Sequence, residues 1–107
     1  MTATPDPIQA ILDGKVLRLV ALVPLVASNV ATQRAALKAH LEQAEQAVVL
    51  DLGQSDLVDS LGITLVVGLY KSCLERKLAF SVAGANAEVL RLFKFFNLNE
   101  IFEIREK

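Results

Sequence analysis

Apolar residues in this chain fall in short runs separated by polar turn residues, and the spacing inside each run predicts its type. Ile8 to Leu12 and Val16 to Val23 read as two strands. Asp13-Gly14 between them is a strong hairpin signal, and Pro24 closes the second strand. Ser28 or Asn29 then caps a helix running to about Gln43. At a hundred degrees per residue, its Val30, Leu37, Leu41 and Ala44 share one stripe, flanked by Arg34 and His40, while Lys38, Ala39 and Glu42 face out. Ala47 to Leu52, rich in β-branched residues, predicts a buried strand. Ser60 to about Lys77 predicts a second helix, and Leu78 to Ala83 another strand. Gly84-Ala85-Asn86 leads into a third helix, about Ala87 to Phe96, with Val89, Leu92, Phe93 and Phe96 inward. Asn97-Leu98-Asn99 ends that helix, and Ile101-Phe102-Glu103-Ile104 is a last short apolar segment. Strands alternating with helices call for a mixed sheet with helices packed on it.

The second helix carries more apolar surface than one contact face needs. Ile63, Val66, Val67, Tyr70 and Leu74 make a core stripe, yet Leu61, Leu65 and Leu69 stand roughly opposite, with Gly68 between them. A helix apolar all round is either buried on both sides or offers a surface to a partner. Polar residues return only from Lys71, so the half nearest Ser60 is the adhesive half and is read as a partner or self-association surface.

Totals narrow the classes. At 107 residues, 53% apolar and 21% charged, the chain is expected to fold as one domain, 8–105, behind a loose tail at 1–7. A net charge of −1 with scattered Lys and Arg gives no nucleic-acid footprint. One cysteine, Cys73, rules out an internal disulfide and fits a reducing compartment. The polar start has no signal-peptide pattern, and Pro24, Gly68 and Lys71 interrupt every apolar run short of a membrane span. The expectation is a cytoplasmic domain without direct membrane insertion.

The chemistry concentrates at Asp59-Ser60-Leu61-Gly62, where a polar loop, Gly53-Gln54-Ser55-Asp56, gives way to the second helix. A serine at a helix start stands where backbone N–H groups and the helix dipole favour a phosphate; it is equally a place for a cap. Ser60 is not set up as a nucleophile, because the chain's one histidine, His40, belongs to another helix. Asp59 reads as a cap that can also orient the Ser60 hydroxyl or meet a basic group of a partner. Gly62 either lets a partner's backbone come close or relieves crowding in the first turn. Asp51 reads as structural and Cys73 as a small hydrophobe. No carboxylate pair, His/Cys cluster or Gly-rich loop amounts to a metal or nucleotide site, so no cofactor is expected and an enzyme is disfavoured.

The strand ending in Asp51, the Asp59-Ser60-x-Gly62 helix start and the closing Asn86-x-x-Val89 helix together resemble the STAS family. The likeness extends from about Ile8 to Ile104 and is nearest to bacterial anti-sigma factor antagonists. It includes the ending Leu92-Phe93, Asn97-Leu98, Ile101-Phe102. The resemblance implies a mixed four- or five-stranded sheet with three to four helices mainly on one side. It also implies that Ser60 is the target of a serine kinase that is itself the anti-sigma factor, with a histidine-kinase-like ATPase fold. Unmodified antagonist binds the kinase and frees the sigma factor; phosphorylation breaks that complex, and a serine phosphatase restores it. The partner surface so implied is Asp59, Ser60, Leu61, Gly62, Leu65 and Leu69. Two features depart from the family pattern: Val23-Pro24-Leu25-Val26 lacks the usual acidic residue, and Leu61 replaces a small one. A second reading is a non-switching STAS subunit of an ABC lipid transporter or a stress-signalling scaffold. The oligomeric state, monomer or homodimer, stays open.

Overall fold

The computed structural model describes residues 6–107, and the first five residues of the expected tail lie outside the described residues. β1 (Ile8–Asp13) and β2 (Val16–Ala21) form an antiparallel hairpin. α1 (Ala27–Leu41), β3 (Ala47–Asp51), α2 (Ser60–Glu75), β4 (Ala79–Ala85), α3 (Ala87–Phe95) and β5 (Glu103–Glu106) follow, with a 3₁₀ turn at Leu98–Glu100. The five strands line up in chain order, and β2 to β5 are parallel. The hairpin turn falls one residue later than expected, on Gly14 and Lys15, because Asp13 pairs with Val16 and Gly14 takes a φ of 63°. Asp6 and Pro7 are tied down. The Asp6 carboxylate accepts from Ile8 N and lies 2.7 Å from His40 Nε2, and Leu22 N donates to Pro7 O.

Strand alternation decides where the core sits. Leu17, Leu19, Val48, Leu50, Phe80 and Val82 point to one face and are buried beneath the helices. Each such side chain stabilises the fold by about 1.5–3 kcal/mol. On the other face Arg18, Val49, Ser81 and Glu103 stand in register and no helix covers them. Parallel strands laid down in order with crossovers of one hand put every helix on the same side.

α2 is apolar all round because it is buried on two sides. Ile63 and Val66 face the sheet side, while Leu65 and Leu69 are buried beside α1, whose Leu37 and Leu41 line the same seam. The expectation of a free surface at Leu65 and Leu69 is therefore corrected: α1 covers both. Leu74, expected in the core, is 61% exposed, since the buried stripe of α2 ends on Leu69 and Cys73 and Leu74 stands beside it on the outer side. Phe96, expected inward on the third helix, is half exposed, because the helix stops at Phe95; Leu90 is buried instead.

The ends of α1 are held from outside. Neither Ser28 nor Asn29 caps it: the helix starts at Ala27, and the Asn29 amide donates to Pro24 O. The Ala27 N–H instead donates to Asp59 Oδ2 at 2.9 Å, 32 residues away. At the other end Arg76 Nη1 donates at 2.6 Å to Leu41 O, which also accepts from Ala44 N just past the helix. Residues flanking α2 thus tie both ends of α1.

The loops before α1 and α2 zip together. Leu25 and Val58 form an isolated parallel bridge, Leu25 N donates to Leu57 O, and Asp59 N donates to Leu25 O. Gln33, buried on α1, donates to Pro24 O from below. The carbonyl of Leu25 lies so close to Gly62 that a Cβ there would sit 2.0 Å from its oxygen. The close backbone that Gly62 admits is this chain's own, which corrects the partner-contact alternative. Gly62→Ala must push the two loops apart, and urea unfolding is expected to show a loss of about 3 kcal/mol.

Candidate functional site

The site grows from the N-terminus of α2. Asp59 is the N-cap residue, with extended backbone, and its Oδ1 accepts from Gly62 N at 2.9 Å. Its Oδ2 takes the Ala27 N–H of α1, so one carboxylate closes the first turns of two helices. Both helix dipoles point their positive ends at it. The hydrogen bond from Gly62, then that from Ala27, holds the Asp59 carboxyl below the ordinary aspartate range despite some desolvation.

Ser60 follows as the first residue of α2 and is exposed. Its carbonyl accepts from Thr64 Oγ1. The next residue, Leu61, is an exposed apolar side chain at 50%, and Leu57, three residues before Ser60, is another at 54%. Gly62 is buried, and Leu65 and Leu69 lie further along α2 in the seam with α1. Of the six residues singled out in the sequence, the structure brings Asp59, Ser60 and Leu61 together at the surface; it does not place Gly62, Leu65 or Leu69 there as freely exposed groups.

The approach to Ser60 is fastened on the other side as well. The Asn86 carboxamide caps α3 through Val89 N and donates to Asp56 O. Lys107 Nζ donates to Gly53 O at 2.8 Å. Gly84, with φ 75°, packs so tightly on the loop that a Cβ would stand 2.7 Å from Gly53 N. Asp51 does structural work: it accepts from Gly53 N and from Arg18 Nη1. Sequence reading missed the Asn86–Asp56 link and the Ala27–Asp59 bond, because each joins groups thirty or more residues apart.

His40 belongs to the other end of α1, between Asp6 and Gln43. Cys73 is fully buried, and desolvation pushes its thiol up to about 11, so it is unreactive at neutral pH. Among the described residues no three His, Cys, Asp or Glu side chains gather as a metal site, and no helix is long and apolar enough to cross a membrane.

Asp59→Asn keeps an oxygen for Gly62 but turns the amide toward Ala27, whereas Asp59→Ala frees both N–H groups. Thermal melts should show Asp59→Ala losing roughly 4–8 °C for each helix end uncapped, with Asp59→Asn between it and wild type. The Asp59 pKa is lower folded than unfolded. Its contribution is therefore present above the ordinary aspartate value of about 4 and lost as pH falls through the lowered folded value. Asp59→Asn should flatten that acid limb of the stability curve.

No sequence among the curated proteins matches the chain. Solved structures do. The Thermotoga maritima protein TM1081 superposes with a TM-score of 0.85 at 20% identity, covering 94% of this chain and 86% of its own. An anti-sigma factor antagonist from Mycobacterium paratuberculosis gives 0.77 at 18% identity, covering 99% and 92%. The anti-sigma factor antagonist SpoIIAA in its unphosphorylated form gives 0.64 at 17% identity, covering 82% of each chain. At these identities the likeness establishes the fold, a five-stranded mixed sheet under three helices. A family model for the STAS domain matches residues 8–107, and this chain belongs to the STAS domain family.

Proposed function

We propose that this protein is an anti-sigma factor antagonist in a partner-switching pathway, acting in the cytoplasm as a binding module and not as an enzyme. Its unmodified form binds an anti-sigma factor that is also a serine kinase, and phosphorylation of Ser60 releases it; a serine phosphatase resets the switch. The observation that carries this reading is an exposed serine at a helix start tied by Asp59, followed directly by the exposed Leu61. Likeness in fold to named anti-sigma factor antagonists supports it.

The geometry supports a switch of this kind. A phosphate on Ser60 adds about −1.5 to −2 charges. Asp59 already holds the Gly62 and Ala27 N–H groups, so the helix start offers a new anion little and repels it. The charge is left uncompensated beside Leu61, where a closing apolar interface would have to desolvate it. No refolding is required. Ser60 is read as an acceptor of phosphate and not as a nucleophile, since the His40 ring is engaged elsewhere and the neighbouring Asp59 carboxylate is taken up by backbone N–H groups.

One observation favours a second reading, a permanent STAS subunit of a transporter or scaffold. The Val23–Val26 stretch zipped beside the Ser60 loop is apolar and carries no carboxylate to meet a kinase. Pull-downs from host extract with wild type, Ser60→Ala and Ser60→Asp baits separate the two. The switch calls for a kinase-like ATPase retained by the first two, lost roughly tenfold or more with Ser60→Asp, and phosphate on recovered Ser60. Identical preys on all three baits, without phosphate, make the chain a permanent subunit.

A further inference from the structure

α1 and α2 lie side by side and are tied at both ends, by Asp59 at their starts and by Arg76 near their finish. Between the ties they do not close. A groove of about 260 Å³ runs between them. Its floor is Leu37, Leu41, Leu65 and Leu69, and Arg34, Lys38 and Ser72 stand around it.

Gly68 is the informative residue of this groove. Glycine inside a helix is a poor choice for stability. Nothing in the fold demands it here: its φ is ordinary, and a Cβ would meet no atom within 4 Å. At Gly62 the glycine answers to the chain's own Leu25, whereas at Gly68 the space that a side chain would fill is open. A helix without a Cβ at that point lets another backbone approach closely. The ionisable side chains lining the groove, Arg34 and Lys38, are both cationic and lie one helical turn apart on α1. Both are exposed, and neither takes part in an ion pair among the described residues. An apolar floor with a cationic wall is complementary to a helix with an apolar stripe edged by carboxylates.

We propose that the α1/α2 groove receives an acidic amphipathic helix of a partner protein. That helix crosses α2 at the exposed Gly68, sets apolar side chains into the cavity above the largely buried Leu37, Leu41, Leu65 and Leu69, and pairs its carboxylates with Arg34 and Lys38. This site is independent of Ser60. Gly68 lies eight positions beyond Ser60 on α2, about 12 Å along the axis, which exceeds the screening length of about 8 Å at physiological salt. The groove is thus a constitutive contact beside a switchable one.

The test is selection of a display library of helix-constrained peptides on the folded chain. Enriched sequences are expected to carry apolar residues at three- and four-residue spacing with Glu or Asp beside them. A selected peptide should bind Gly68→Met at least about tenfold more weakly, while that variant melts no lower than wild type. The exposed double variant Arg34→Glu/Lys38→Glu should discriminate against acidic peptides and select lysine-bearing ones. Binding to Ser60→Asp should stay within about threefold of wild type, whatever the fate of the kinase complex. Four results would each overturn the proposal: no enrichment, enriched peptides without acidic bias, indifference to Gly68→Met, or loss of binding in Ser60→Asp. A homodimer dissociated by Gly68→Met would assign the groove to a second copy and overturn it equally.

Discussion

A single carboxylate sets the geometry of this domain's candidate site. Asp59 accepts one N–H from α2 and one from α1, so the two helices cannot start independently of each other. α1 has no capping side chain of its own at either tie, and takes its N-terminal partner from Asp59 and its C-terminal one from Arg76. Between these bonds the Leu25–Val58 bridge and the Leu25 carbonyl against Gly62 leave little room for movement. Ser60 therefore projects from a platform whose position is fixed by groups on three segments.

That construction suits a site whose output is binding. A hydroxyl on a mobile loop would pay ordering entropy on every encounter. Here the order is built in by hydrogen bonds that are complete before a partner arrives. The same bonds bear on added charge at Ser60: Gly62 N is already engaged by Asp59, whose carboxylate would repel a neighbouring phosphate. In the switching account the domain need not change shape, because only the character of its exposed surface changes.

Local chemistry made much of this legible in the sequence. The hairpin, the three helices and the Asp59-Ser60 helix start follow from turn residues, periodicity and cap chemistry, which act within a few residues. The family resemblance, and the mixed sheet it implied, likewise agree with the matched domain. What escaped was non-local. Leu65 and Leu69 look like spare apolar surface until α1 is laid beside them. Ser28 and Asn29 look like caps until a carboxylate 32 residues away takes the Ala27 N–H. Gly62 and Gly68 look alike in the sequence, yet one faces a carbonyl oxygen and the other open space. Periodicity reports which side of a helix is apolar; it does not report what comes to lie against it.

The most direct measurement is an NMR pH titration of the backbone amides of Ala27 and Gly62. If one carboxylate caps both helices, both amide protons move upfield together as the pH is lowered, with one shared midpoint below the ordinary aspartate value of about 4. Neither moves in Asp59→Asn. Separate midpoints, or an Ala27 amide indifferent to the titration while Gly62 responds, would contradict the shared cap and with it the account of how Ser60 is held.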